Sequence, residues 1–139
     1  MIYIQEKDFE AQLKLLGYLA SEESYLLCAW LYPESKASTI SGQPIENSNL
    51  EPITSYGDGT IPRHTCLANC TKERLQLFSS SHAEIAANCD SLALYKSGAT
   101  AWSAAAIGHE GICLVKDEAM LSKIMSAGFN ASLKEPSWW

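Results

Sequence analysis

The residues best suited to chemistry in this chain stand in "SSSHAEIAANCD", residues 79–90. His82 offers an imidazole that binds zinc when neutral. Glu84, two positions on, offers a carboxylate able to carry protons between a metal-bound water and a substrate. A second group gathers at His64, Cys66 and Cys70. Two thiols at i and i+4 share a face if the segment is helical, and the imidazole is near enough to join them as a metal ligand. A third is His109-Glu110, a base and an acid set between Gly108 and Gly111 at the tip of an expected hairpin.

His82-Ala83-Glu84 resembles the metal-binding and proton-carrying pair of zinc-dependent nucleobase deaminases, which implies hydrolytic chemistry on a base. That chemistry needs two further ligands, supplied in the family by a downstream Pro-Cys-x-x-Cys. After residue 84 this sequence has only Cys89 and Cys113, 24 positions apart. The same residues also spell Ser81-x-x-Glu84, a capping box in which the serine oxygen accepts from the third helical N–H and the glutamate reaches back to the serine N–H. The expectation is therefore a structural cap at Ser81 and Glu84, with no catalytic residue, metal or cofactor. A small zinc-dependent hydrolase using His82 and Glu84 is the alternative.

For His64, Cys66 and Cys70 the expectation is two helix cysteines facing the core, because zinc knuckles use closer cysteine pairs and a second matching pair. Metal binding by the three is the alternative. His109-Glu110 reads as a solvated turn. No Gly-x-Gly-x-x-Gly, Gly-Lys-Ser/Thr phosphate loop, Gly-x-Ser-x-Gly or His-Glu-x-x-His occurs.

The elements that must position these residues follow from periodicity. "EKDFEAQLKLL" (6–16) puts Phe9, Leu13 and Leu16 on one helical face, and Gly17 is expected to stop the helix in a left-handed conformation. "SYLLCAWLY" (24–32), ended by Pro33, reads as a central strand. Residues 33–64 hold four of the five prolines and form a long irregular segment, with "PITSY" (52–56) as a short strand. Two short helices are expected across "CLANCTKERLQLFSSS" and "HAEIAANC". "SLALYKSG", "TAWSAAAIG" and "GICLV" make an antiparallel meander, with Trp30 and Trp102 in the core. A last helix runs from Asp117 to Gly128. Helix one ends "LLGYLAS" and the last helix "SAGFNAS", an echo accounted for by glycine plus an aromatic being a common helix stop. The sum is one α+β domain over 1–139: an antiparallel sheet of about four to six strands with the N- and C-terminal helices packed on it.

Composition sets the setting. The chain is 47% hydrophobic and 19% charged, which is globular. Its first ten residues show neither a basic leader nor an apolar core, and no run is long enough to span a bilayer, so a cytoplasmic location is expected. The five cysteines are then read as buried small hydrophobes. Charge is uneven. Residues 1–60 hold nine acids, including Glu34, Glu46, Glu51 and Asp58, against three lysines, whereas 61–139 hold seven of each sign. The net charge of -6 thus originates upstream of residue 61. It opposes nucleic-acid binding and favours a basic protein partner. The chain closes on "EPSWW", and Trp138 and Trp139 either fold back on the core or anchor a partner or a second copy.

In size and character the chain resembles the small cytosolic immunity proteins that bacteria make against toxins delivered by neighbours. The resemblance rests on no motif and carries over no site residues. It implies stoichiometric binding to a toxin domain, and the acidic segment and terminal aromatics make Glu34, Glu46, Glu51, Asp58, Trp138 and Trp139 the residues expected to bind it. A structural or regulatory homo-oligomer, a homodimer in its simplest form, is the third reading.

Overall fold

The apolar runs Tyr25–Leu31 and Cys89–Lys96 lie side by side at the centre of one antiparallel sheet. Both are buried on both faces, which is why neither alternates in polarity. The computed structural model describes residues 1–35, 49–53, 76 and 80–139, together with the backbone pairing of 43–44 and 64–67. In chain order β1 is Ile2–Ile4, α1 Phe9–Glu22, β2 Tyr25–Leu31, β3 Gln43–Pro44, β4 His64–Leu67, α2 His82–Asn88, β5 Cys89–Lys96, β6 Trp102–Ile107, β7 Ile112–Val115, α3 Leu121–Ser126 and β8 Ala131–Ser132. The sheet order is β3-β4-β2-β5-β6-β7-β1-β8, with every pair antiparallel. Six of these strands have three residues or more among the described residues. The domain is α+β, as expected.

One face of the sheet carries the helices. Leu27, Ala29 and Leu31 of β2 and Leu92 and Leu94 of β5 pack there against Leu13, Leu16 and Leu19 of α1, Ile85 of α2 and Ile124 of α3. Each buried leucine contributes about 1.5–3 kcal/mol relative to exposure. The other face gathers Cys28, Trp30, Ala93, Tyr95, Trp102 and Ile107, with Ile53 laid over them. The backbone of 49–53 is tied down by three hydrogen bonds: Glu51 N–H to the Thr100 carbonyl (2.8 Å), Ser91 Oγ to the Ile53 carbonyl (2.5 Å) and Tyr95 OH to the Glu51 carbonyl (2.7 Å). Among the described residues no helix is long and apolar enough to cross a membrane.

Three local expectations are corrected. Helix α1 does not stop at Gly17 but runs to Glu22, with Gly17 buried inside it. A glycine inside a helix costs about 1 kcal/mol, and burying Leu19 two residues later outweighs it. Gly128 does adopt a left-handed φ of 95°, so the echo between the two helix ends fails at its glycines, although the Tyr18 and Phe129 rings meet at 5.8 Å. The segment that begins at Cys66 starts as strand, not helix, because β4 supplies the backbone partners that the exposed edge of β2 requires. Of the expected strand at 52–56, Pro52 and Ile53 are not in a strand, and the rest lies outside the described residues.

Candidate functional site

The ladder between β2 and β5 is irregular at one end: Trp30 pairs with Ser91 and Leu31 with Cys89, so Asp90 is the extra residue of a bulge. A bulge re-aims a side chain. Asp90 is 0% exposed, and its carboxylate lies 3.9 Å from Nδ1 of His109. The hydroxyl of Tyr32, the residue after β2, lies 2.9 Å from the same nitrogen. His109 arrives there on a single 3₁₀ turn, Gly108–Glu110, closed by Gly111 at φ 68°. Its Nε2 faces Glu110 at 3.8 Å.

This arrangement positions a histidine. A proton relay through imidazole needs an acid on one ring nitrogen and a reacting group on the other. Here the tyrosine hydroxyl and the buried carboxylate both address Nδ1, which fixes the ring while leaving the side chain 39% exposed. Beside it, burial and then the charge of Asp90 push the Cys89 thiol up to about 12, which disfavours the thiolate. Burial pushes the Cys113 thiol up as well.

Next to the cluster runs a groove of about 450 Å³ lined, among the described residues, by Tyr32, Pro33, Glu34, Ser35, Ala87 and Asn88. Its two walls are stitched together by hydrogen bonds from Tyr32 N–H (3.1 Å) and Ser35 Oγ (2.5 Å) to the Asn88 carbonyl. Pro33 opens the turn, and Ser35 N–H closes it on the Tyr32 carbonyl at 3.0 Å. Glu34 stands exposed on this wall.

The other residues expected at a site are dispersed. Glu51 is held 2.5 Å from the Lys116 ammonium, which in turn sits 4.2 Å over the Trp102 ring. Glu46, Asp58 and Cys70 lie outside the described residues. Trp138 and Trp139 fold back near β1: the Lys7 ammonium lies 4.5 Å over Trp138, and Trp139 meets Tyr3 edge-on at 5.1 Å while remaining 45% exposed. His64 and Cys66 are placed by backbone pairing alone, opposite Trp30 and Cys28. The helical i, i+4 geometry assumed for Cys66 and Cys70 therefore does not form at Cys66. Among the described residues no group of three or more His, Cys, Asp or Glu could hold a metal.

The capping box is corrected too. Helix α2 starts at His82, as the motif predicts, with Ser81 at the N-cap, yet the serine side chain makes no cap hydrogen bond. At φ −113° and ψ 26° Ser81 is not in the extended conformation that aims a cap oxygen at the first turn. Glu84 is exposed.

The charge asymmetry of the sequence is partly balanced in space among the described residues. Acids of the first 60 residues pair with lysines of the rest: Glu22 with Lys123, Glu23 with Lys96 and Glu51 with Lys116. The cysteines divide likewise. Cys89 and Cys113 are free and buried, as expected, whereas Cys28 is disulfide-bonded. Sequence reasoning missed Tyr32 and Asp90. The available signal was an acid inside the apolar strand "CDSLALY", where a charge is buried only with a purpose. No protein-family model, curated protein or solved structure matches the chain.

Proposed function

We propose that the protein is a protein-binding module of the immunity kind, neutralising a cognate toxin by stoichiometric binding, and that the groove at Tyr32–Ser35 takes a basic side chain of that partner. The observation carrying this reading is the groove itself. It combines an exposed carboxylate, Glu34, with an aromatic wall at Tyr32 and the Asn88 amide. A guanidinium there gains a charge-assisted hydrogen bond and a ring face together. Behind Tyr32, the His109 and Asp90 contacts hold its hydroxyl in place. The net charge of -6 favours encounter with a basic surface. A disulfide-bonded Cys28 favours an oxidising compartment over the cytoplasm for this binding.

The test is co-expression with the product of the neighbouring gene, which this reading expects to be a toxin. The wild-type chain should protect cells and bind that product one to one. Glu34→Lys should weaken binding at least tenfold and abolish protection, and binding should fall as salt rises. A neighbouring product that is not toxic, or binding indifferent to both Glu34→Lys and salt, would overturn the proposal. A second reading, a homodimer built through the C-terminal tryptophans, is favoured by the exposure of Trp139. Light scattering on a chain lacking Trp138 and Trp139 tests it, since an unchanged mass excludes it.

A further inference from the structure

At the end of the sheet away from Asp90, where α1 gives way to β2, a hollow of about 280 Å³ opens onto the helix-covered core. Leu19, Tyr25, Ala104 and Val115 form its inner wall, all buried members of that core, with Met120 packed beside them and Trp102 at the side. The hollow exists because the positions around its mouth are small: Ala99, Ala101 and Ser103. Ser103 is also the extra residue of a second bulge, where the ladder steps from Leu94↔Ala104 to Tyr95↔Trp102. A bulge bends its strand.

The charges at the mouth are already matched. Lys96 lies 3.0 Å from Glu23, Lys116 lies 2.5 Å from Glu51, and Asp117 accepts the Ala119 N–H at 3.0 Å. We propose that this hollow is a binding site for a small uncharged aromatic ligand of about the size of indole. Its volume is near the lower end of ligand pockets, which begin at about 300 Å³. Water filling it would meet largely apolar walls and find few hydrogen-bond partners. Two aromatic side chains, Tyr25 and Trp102, supply ring contacts that a flat ligand satisfies by offset or edge packing. An ionic ligand is disfavoured because it would surrender its hydration with no unmatched charge at the mouth to replace it.

The experiment is a titration of the full chain with indole, and separately with indole-3-carboxylate, followed by amide NMR shifts. Indole should produce saturating shifts confined to Tyr25, Ala101, Trp102 and Met120, and the carboxylate should bind at least tenfold more weakly. Ala101→Leu and Ala99→Leu, both at exposed positions, fill the mouth without entering the core. Each should weaken indole at least tenfold while leaving the melting temperature and the distant amide signals in place. Shifts that stay linear to the solubility limit, shifts scattered over the surface, equal binding of the carboxylate, or undiminished binding by both folded variants would each overturn the proposal.

Discussion

Tyr95→Phe is the sharpest probe of how residues 49–53 are held on the sheet. The Tyr95 hydroxyl is the middle of a chain in which the Trp30 indole N–H donates to it at 3.1 Å and it donates to the Glu51 carbonyl at 2.7 Å. Tyr95 and Trp30 are both essentially inaccessible to solvent. Phenylalanine keeps the ring and its packing but takes an acceptor from the indole and a donor from the carbonyl. Loss of a buried hydrogen bond with its partners stranded costs about 1–3 kcal/mol. The Glu51 carbonyl is only partly buried and can recover water, so about 2 kcal/mol is expected. For a chain of this size that is about 6–8 °C in melting temperature, measured by circular dichroism at neutral pH. The second readout is alkaline. Burial pushes the Tyr95 phenol from 10.0 up to about 12, so the folded state holds this proton more tightly than the unfolded one. Stability from it is complete below pH 10 and is lost as pH rises toward 12. Tyr25 behaves in the same way, burial and then Glu23 pushing it up to about 12. Tyr95→Phe should therefore flatten, without abolishing, the decline of stability above pH 10. A melting temperature within about 2 °C of wild type, together with an unchanged alkaline decline, would refute the reasoning.

Two further outcomes follow from local geometry. Ser81→Ala should change stability by less than about 0.5 kcal/mol, because the serine makes no cap hydrogen bond. Asp8→Ala should cost about 1 kcal/mol in the same thermal melts, since the Asp8 carboxylate accepts the Ala11 N–H at 3.3 Å. Equal effects of the two would contradict the assignment of caps. Denatured without reduction, the chain should take three maleimide adducts of its five cysteines, and five after reduction, because Cys28 is disulfide-bonded. Five adducts without reduction, read by intact mass, would remove the disulfide and with it the case for an oxidising compartment.

The central strands were legible because burial on both faces writes an unbroken apolar run, and the first helix because Phe9, Leu13 and Leu16 fall on one face. Where short-range signals compete with packing, the reading failed. Gly17 looked like a stop, yet the buried leucine beyond it carries the helix on. Ser81-x-x-Glu84 looked like a closed box, yet the backbone angle at Ser81 turns its oxygen away.

The sequence by itself determined the α+β class, the pairing of successive strands through β5, β6 and β7, and the capping aspartate Asp117. These depend on residues close together along the chain. Tertiary structure alone decided that Asp90, Tyr32 and His109 meet, that upstream acids are matched by downstream lysines, and that small residues leave a hollow beside Trp102. Each joins positions many residues apart, and strand register, set by two single-residue bulges, fixes which side chains face each other.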